Sequence, residues 1–232
     1  MKFNRQLLIA NQSKHIVTER IMLHNSMPGQ AWFTVAKDDQ VLATRQIVQF
    51  DFGYSHQNAL RRWFIGYIEK MVPEPDQRVR LVCRELASVL ATPLPLNLRH
   101  VSMRDVLKEI SRITALSFSV PEADYADRQV ANFYNIGTGY QAMDLIGRVF
   151  NVPDYMWQQQ GNGVVFAGSW ARSRWSELGS VTVQESLFDR HSANESARIA
   201  AIPQLRPGVI LNGHRLSHIE FQGNHMVVSW NS

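Results

Sequence analysis

Cysteine is nearly absent from this sequence: Cys83 is the only one in 232 residues. A single cysteine excludes an internal disulfide and any metal site built from cysteines alone, and it suits a chain made in a reducing compartment. Long apolar runs are lacking too. Near the amino terminus only residues 7–9 form an apolar core, which is too short for a signal peptide, and no stretch approaches about 18 apolar residues. We therefore expect no membrane insertion by this chain.

Dense runs of one charge are also missing. The 24 Lys and Arg residues stand against 20 Asp and Glu residues, and the net charge of +4 is modest for this length. Nucleic acid is therefore not the default partner. What the sequence does contain is 45% hydrophobic residues, enough to build one large or two small cores without disulfides.

Residues 30–85 place apolar residues at every second position, which is the pattern of half-buried strands. The alternating apolar residues are Val48, Phe50, Phe52 and Tyr54 in one run, and Val79, Leu81 and Cys83 in another. One polar face per strand predicts an antiparallel sheet, and the turn signals between the runs fit hairpins or a small barrel. Strand-like runs return in the last fifty or so residues, with a loop or short helix expected near residues 191–203.

Two amphipathic helices are predicted between these strand-rich parts. Ser102 and Asp105 resemble a capping box, and an apolar stripe at helical spacing follows. The stripe consists of Met103, Val106, Leu107, Ile110 and Ile113. A second helix is expected after Thr138, with Gln141 completing its capping box. Further on, the glycines of residues 161–163 predict a β-hairpin.

The stretch NFYNIGTGYQAMDLIGRVF satisfies the dinucleotide-binding pattern through Gly137, Gly139 and Ala142. A dinucleotide site also needs parallel strands in a βαβ unit and an acidic residue about 20 positions further on. Asp154 is the nearest candidate, but the strand-like run after it turns straight back. A capped structural helix explains the glycines more simply, so we expect no cofactor. A nucleotide-binding enzyme that uses the Gly137-Thr138-Gly139 turn is kept as an alternative.

Other chemically active residues are isolated in the sequence. His214, His218 and His225 lie close together, but four residues of a strand span about 13 Å, too far for one metal ion. Cys83 falls on the apolar side of a strand, where a thiol is inert, and no G-x-S-x-G motif occurs. The scattered carboxylates are Glu69, Asp124, Asp127, Asp144 and Asp154. We assign no catalytic, cofactor-binding or metal-binding residue, and we do not expect an enzyme.

Arginine and tryptophan occur together at two places in the sequence. The residues are Arg61, Arg62, Trp63 and Phe64 at the first, and Trp170, Arg172, Arg174 and Trp175 at the second. This mixture is typical of surfaces that bind single-stranded nucleic acid, and equally of protein interfaces. We favour the interpretation in which the aromatic rings fill a core and the arginines cover its rim, because both patches are short. A nucleic-acid-binding module is the third hypothesis.

The order of segments from residue 64 onward is more specific than any motif. It runs FIGYIEKMVPEP, RVRLVCREL, a proline link, SMRDVLKEISRITAL, FSVP, ANFYNIGTGYQAMDLIGRVFNV, YMWQQQGNGVVFAGSW and, later, LRPGVILNG. This order resembles the phage late control protein D family, the baseplate hub proteins of tailed phages, to which the VgrG spike proteins of type VI secretion are related. The resemblance covers about two thirds of the chain.

The resemblance implies an α+β, mainly antiparallel β fold: two tail-tube-like β-barrel domains with an α/β insertion that contains two amphipathic helices. We expect the first barrel-like domain over residues 1–90 and the insertion over 91–178. Residues 179–232 would complete a second barrel-like domain. Members of this family have no catalytic residues, so the resemblance transfers none to this chain.

The resemblance also implies a function by assembly. Three copies would supply six barrels to a ring that adapts the sixfold tail tube to the threefold spike. The expected partners are further copies in a homotrimer, the tail tube protein, the central spike or tail tip protein and other baseplate proteins. Phage DNA would pass through the lumen without specific binding. The expected location is the virion tail baseplate, after assembly in the host cytoplasm. Because the sequence ends soon after MVVSW, we expect another chain to make the spike contact.

Overall fold

The computed structural model describes residues 2–39, 41–55, 59–184, 188–191 and 195–230. The strands are β1 (Phe3–Ile9), β2 (Gln12–Lys14), β3 (Ile16–His24), β4 (Met27–Ala36), β5 (Ile47–Tyr54), β6 (Arg61–Glu74), β7 (Arg78–Glu85), β8 (Leu96–Val101), β9 (Phe118–Ser119), β10 (Val130–Asn135), β11 (Tyr155–Gln159), β12 (Val165–Ser169), β13 (Ser180–Val181), β14 (Asp189–His191), β15 (Ser196–Ala200), β16 (Ile210–Leu211), β17 (His214–Gln222) and β18 (His225–Trp230). The helices are α1 (Met103–Thr114), α2 (Asp124–Asp127), α3 (Gly139–Val149) and α4 (Arg174–Glu177), with short 3-10 helices at Leu86–Ala91 and Trp170–Arg172.

Most strands join in one large sheet that curls into a half barrel. Its order is β14-β15-β18-β17-β3-β4-β7-β6-β5-β1-β2, and β16 and β13 extend from β17. The neighbours in this order pair antiparallel, as in β4 with β7 and β6 with β7. The mainly antiparallel fold class is therefore confirmed.

Strand β7 shows why the alternating sequence forms this sheet. Leu81 and Cys83 are fully buried on the inner face, whereas Arg80 and Arg84 lie on the outer face. Successive side chains of a strand point to opposite faces, so one face reaches the core while the other stays wet. The burial of apolar side chains on one face stabilises the strand between its two neighbours.

The segment between β7 and β13 contributes no strand to the large sheet, and it is called the insertion below. It is built from smaller sheets and the two longer helices. Strands β8 and β10 form an antiparallel pair, and a separate sheet has the order β11-β12-β9. The predicted capping box of α1 is present: Ser102 Oγ accepts from Asp105 N at 3.2 Å, and Asp105 Oδ2 accepts from Ser102 N at 2.9 Å. The predicted stripe is buried except for Ile113, which is 46% exposed in the last turn. The prediction was wrong for that residue.

The chain turns back on itself after α3, as predicted. β11 and β12 pair antiparallel through a tight turn, in which Gly163 has a φ of 89° that favours glycine. Two short parallel pairs, β9 with β12 and β13 with β16, were not predicted. The loop or short helix expected near residues 191–203 is contradicted in part, because β15 pairs there with β18. Residues 192–194 of this segment lie outside the described ranges.

Two hydrophobic cores hold the fold together. One lies on the inner face of the large sheet, and the other packs α1 and α3 against the sheets of the insertion. In the first core, the ring of Phe221 on β17 lies 4.9 Å from Phe52, 5.3 Å from Phe50 and 5.5 Å from Trp63, between centroids. The amino-terminal and carboxy-terminal strands therefore share one core, and two separate barrels are not confirmed. The domain limits after residues 90 and 178 stay predictions.

Candidate functional site

The corner between β10 and α3 holds the dinucleotide-like glycines. Thr138 Oγ1 accepts a hydrogen bond from Gln141 N at 3.4 Å, and Gln141 Oε1 accepts one from Thr138 N at 2.9 Å. These two bonds form the predicted capping box. The buried Asn135 side chain donates to the Leu94 carbonyl at 2.7 Å and so ties the corner to the connection before β8. The predicted capped helix is confirmed.

The two glycines of this corner differ in what a side chain would meet: at Gly139 it is the backbone of Leu90, whereas at Gly137 it is the flexible end of the Gln141 side chain that caps the helix. A Cβ atom on Gly139 would lie 2.8 Å from the Cα atom and the carbonyl oxygen of Leu90, and one on Gly137 would lie 1.7 Å from Gln141 Oε1. The strands before and after α3 belong to different sheets, because β10 pairs with β8 and β11 pairs with β12. The parallel βαβ unit that a dinucleotide site requires is therefore not formed around this turn.

Replacing Thr138 by alanine is expected to lower the free energy of unfolding by about 1 kcal/mol, because the capping oxygen is lost. Urea denaturation followed by circular dichroism measures this change. The exposed Thr182, which lies outside the strands and helices, serves as the control, and its replacement by alanine should change stability by less than about 0.5 kcal/mol. Equal effects at the two positions would contradict the capping role.

The three clustered histidines do not meet in space. His218 stacks on His24 of β3, with ring centroids 4.2 Å apart and an interplanar angle of 7°, whereas His214 stacks on Trp230 at 4.8 Å. His225 lies at the start of β18. Within the described ranges, no group of three or more His, Cys, Asp or Glu side chains could hold a metal ion. Burial lowers the pKa of both His24 and His218.

The thiol and the carboxylates are also separate from one another. Cys83 is fully buried, and this burial raises the pKa of the thiol far above its usual value. The partners of four carboxylates are Arg84 for Glu69 at 3.0 Å, Arg104 for Asp127 at 2.9 Å, Trp157 Nε1 for Asp144 at 3.0 Å and Arg215 for Asp154 at 2.7 Å. Asp124 begins α2. These groups serve different local contacts and form no joint acid–base site.

Two of the three tryptophans next to arginines are buried, and the third is half-buried. Trp63 is 1% exposed and Trp175 is 3% exposed. Trp170 is half-buried: its Nε1 atom donates to the Gly208 carbonyl at 2.7 Å, and the Arg215 guanidinium lies 4.7 Å from its ring centroid. Trp63 and Trp175 therefore offer no open face on which a nucleic acid base could stack, and Arg215 lies over the ring of Trp170.

A buried ion pair between Glu85 and Arg206 is the largest feature that the sequence did not indicate. Arg206 Nη2 lies 3.3 Å from Glu85 Oε1 and donates to the Gln159 carbonyl at 3.0 Å, and Nη1 donates to the Trp63 carbonyl. Glu85 Oε2 accepts from Gly29 N at 2.7 Å. This junction joins β4, β6 and β7 of the large sheet to β11 of the insertion.

The Gln159 side chain extends the junction. Its Oε1 atom accepts from Ala87 N at 2.9 Å, and its Nε2 atom donates to the Ile65 carbonyl at 2.8 Å. Gln159 is 1% exposed. Because buried polar groups are costly unless they are bonded, this network favours one relative placement of sheet and insertion.

The junction makes stability depend on pH. Burial outweighs the nearby Arg206 charge and raises the pKa of Glu85 from 4.5 to about 7. Between pH 4.5 and about 7, the folded chain holds the Glu85 proton more tightly than the unfolded chain does. The resulting contribution to the free energy of unfolding is fully present below pH 4.5 and is lost as the pH rises through 7. Relative to a Glu85→Gln variant, the native chain should therefore lose about 3 kcal/mol of stability between these limits. Urea unfolding of both proteins across this range measures the difference, and a constant difference would contradict the raised pKa.

The outer face of the large sheet carries ion pairs between neighbouring strands. They are Arg20 with Glu220, Arg62 with Asp51, Arg80 with Glu74 and Arg84 with Glu69.

A groove of about 660 Å³ lies between this face and the insertion, with Ile47, Tyr67, Leu86, Leu116 and Tyr140 among the residues of its wall. Aromatic and aliphatic side chains next to arginine are typical of protein interfaces. In the described part of the chain, none of the helices is both long and apolar enough to cross a membrane.

A phage protein is related to nearly the whole chain in sequence. The chain is 31% identical over 230 residues to an uncharacterized 58.7 kDa protein of Haemophilus phage HP1 (strain HP1c1). The match covers 99% of this chain and 42% of that relative, so the chain spans less than half the length of the phage protein. No family model matches the chain.

The fold matches solved structures of phage tail and secretion proteins. The 43 kDa tail protein of prophage MuSo2 from Shewanella oneidensis has a TM-score of 0.74 at 9% identity, over 99% of this chain and 97% of that chain. The tail protein from Neisseria meningitidis MC58 has a TM-score of 0.67 at 9% identity, over 98% and 96%. The E. coli c3393 protein, a component of the type VI secretion system, has a TM-score of 0.56 at 10% identity, over 100% and 77%.

These structural neighbours confirm the resemblance that the order of segments indicated. The chain has the fold of phage tail proteins and of type VI secretion proteins. The E. coli protein is itself described as structurally similar to the T4 bacteriophage tail proteins gp27 and gp5. At 9–10% identity, these matches establish the fold alone.

Proposed function

We propose that this chain is a structural baseplate hub protein of a phage tail or phage-like injection device. Copies of the chain form a homotrimeric ring that adapts the sixfold tail tube to the threefold central spike, and they act by assembly without catalysis. The observation that carries this proposal is the end-to-end match to the MuSo2 tail protein, over 99% of this chain and 97% of that chain. The related protein of phage HP1 supports the same origin.

The open edges of the large sheet also favour a ring. In the described strand order, β2 and β14 lie at the two ends, and each pairs on one side only. Edge strands present unpaired backbone groups, and natural assemblies cover or pair them. Repeated contacts between different faces of neighbouring copies close into a ring when the rotation fits.

The proposed partners follow from this role. They are further copies of the chain, the tail tube protein, the central spike or tail tip protein and other baseplate proteins, all in the virion tail. Carboxylates hold arginines of the outer sheet face in ion pairs. Arginines held in this way are less available to neutralise phosphates, which fits passage of DNA without specific binding.

Native mass spectrometry of the purified chain, alone and with the cognate tube and spike proteins, tests this proposal. We expect a species of three times the monomer mass that binds both components, and a ring in electron micrographs of the complex. A stable monomer that ignores tube and spike proteins would overturn the proposal. Equilibrium dialysis against nicotinamide and flavin cofactors tests the enzyme alternative, and binding there would favour it. Steeply salt-dependent binding of single-stranded DNA would favour the nucleic-acid module.

A further inference from the structure

His24 and His218 form a stacked pair that no sequence motif indicated. They lie directly opposite each other on β3 and β17, and their rings are nearly parallel with centroids 4.2 Å apart. Both side chains are partly buried. The Nε2 atom of His218 is buried and has no hydrogen-bond partner among the described residues. Two protonated imidazoles could not keep this arrangement without strong repulsion.

The pair occupies the end of a pairing that holds the large sheet together. In the described strand order, β3 with β17 is the contact between strands β1–β7 and the carboxy-terminal strands. The ladder begins at His218 opposite His24 and ends at Gln222 opposite Arg20. The β3–β17 ladder itself is regular, but the pairings on either side of it shift register next to both histidines: β17 with β18 between Leu216 and His218, and β3 with β4 between Met22 and His24.

Further hydrogen bonds depend on the same end of the ladder. Asn25 N donates to the Ser217 carbonyl at 3.1 Å, and Asn25 Nδ2 donates to the Leu216 carbonyl at 3.2 Å. Gln158 Nε2, from β11 of the insertion, donates to the His24 carbonyl at 3.2 Å. A movement of β3 away from β17 would therefore also release Asn25 of the β3–β4 turn from β17, at the point where the insertion contacts β3.

The surroundings offer little compensation for positive charge on the rings. Glu220 on β17 favours protonation of His218, but Arg20 on β3 opposes it and binds Glu220 at 2.7 and 3.0 Å. Arg215, also on β17, is bound to Asp154. The cross-strand neighbours on β4 and β18 are Met27 and Ser229, and the contact from β11 is Gln158, so none of these carries a charge.

We propose that the stacked His24–His218 pair is an acid-sensitive latch, which keeps this end of the β3–β17 ladder closed at neutral pH and opens it when the rings take up protons. The lowered pKa values of both rings agree with this role. A lowered folded-state pKa contributes stability that is present above the unfolded value of 6.5 and is lost as the pH falls through the folded value. Mild acid would therefore loosen this end of the pairing between β3 and β17.

Hydrogen exchange of the full chain at about pH 7.5 and pH 5, read by mass spectrometry and corrected for the intrinsic exchange rates, tests the latch. The opening equilibrium of peptides that cover residues 20–25 and 216–220 should rise roughly tenfold at the lower pH, because the open ladder end takes up protons more readily than the closed stack. Peptides from β6 and β7 should not follow this rise. Equal opening of the ladder end at both pH values would overturn the proposal.

Variants separate the latch from other titrating groups, including Glu85. The double variant His24→Phe/His218→Phe keeps the aromatic stack but cannot take up protons, so its exchange should lose the rise at low pH. The single variant His24→Gln, which removes one ring, should show a smaller rise and covers the case in which the double variant does not fold. The control His225→Gln, on β18 outside the pair, should behave as the native chain does. If both His24→Phe/His218→Phe and His24→Gln kept the full rise in exchange at low pH, the proposal would be overturned.

Discussion

Replacing Arg206 by methionine is expected to lower the free energy of unfolding by about 3–5 kcal/mol, because Glu85 is left as an unpaired charge in the core. Glu85 is 2% exposed and Arg206 is 7% exposed. The carbonyl oxygens of Trp63 and Gln159 also lose a donor. Urea unfolding above about pH 8 measures the effect, since Glu85 is ionised there in the native chain, whereas in the variant it must either stay charged without its partner or take up a proton at a cost.

The exposed pair of Arg20 and Glu220 provides the matched control. It also has two hydrogen bonds, at 2.7 and 3.0 Å, but the Arg20 side chain is 52% exposed. Arg20→Met should therefore cost less than about 1 kcal/mol. Adding Glu85→Gln to the Arg206→Met variant should recover part of the loss, since Gln can still accept from Gly29 N without carrying a charge. Equal losses for Arg20→Met and Arg206→Met would show that burial of the ion pair has no special weight.

Replacing Phe221 by alanine is also expected to cost about 3–5 kcal/mol, because it opens a cavity among aromatic rings. Phe221 is fully buried, and its ring touches Phe50, Phe52 and Trp63 from the amino-terminal half of the chain. Because both halves share this core, the whole large sheet should unfold at a lower urea concentration in one transition. Urea unfolding followed by tryptophan fluorescence measures this loss, and hydrogen exchange locates it.

Tyr134→Ala is the control for this aromatic truncation. Tyr134 is 60% exposed on β10. Its truncation should lower the free energy of unfolding by less than about 1 kcal/mol, since it removes little buried apolar surface. If Phe221→Ala destabilised only the carboxy-terminal strands and left residues 3–85 as stable as before, the shared core would be refuted. The two independent barrels that the family resemblance implies would then be favoured.

Much of the local structure was predictable from the sequence because its causes are local. Alternation of Leu81 and Cys83 with arginines is sufficient to specify the two faces of β7. Thr138 and Gln141 specify the start of α3 in the same way, since the capping atoms lie within one turn. The glycines near residue 162 indicated the turn between β11 and β12.

The candidate sites were less predictable because their partners are distant in sequence. Glu85 and Arg206 are 121 residues apart, and neither stands in a recognisable motif. The histidine cluster of residues 214–225 was visible, but His218 stacks on His24, which lies on a strand from the other end of the chain. Burial and pKa depend on such contacts, so the residues that neighbour each group in sequence do not reveal them.

The sequence alone determined the antiparallel strands, the two capped helices, the turn after α3 and the likeness to phage tail proteins, since periodicity, capping residues and segment order are properties of the chain itself. Only the tertiary structure decided that β17 pairs with β3, that one core serves both ends of the chain, and that Glu85 and His24 have charged or titratable partners. The physical reason is that pairing between distant strands depends on complementary surfaces throughout the folded chain, and local sequence patterns carry no record of those surfaces.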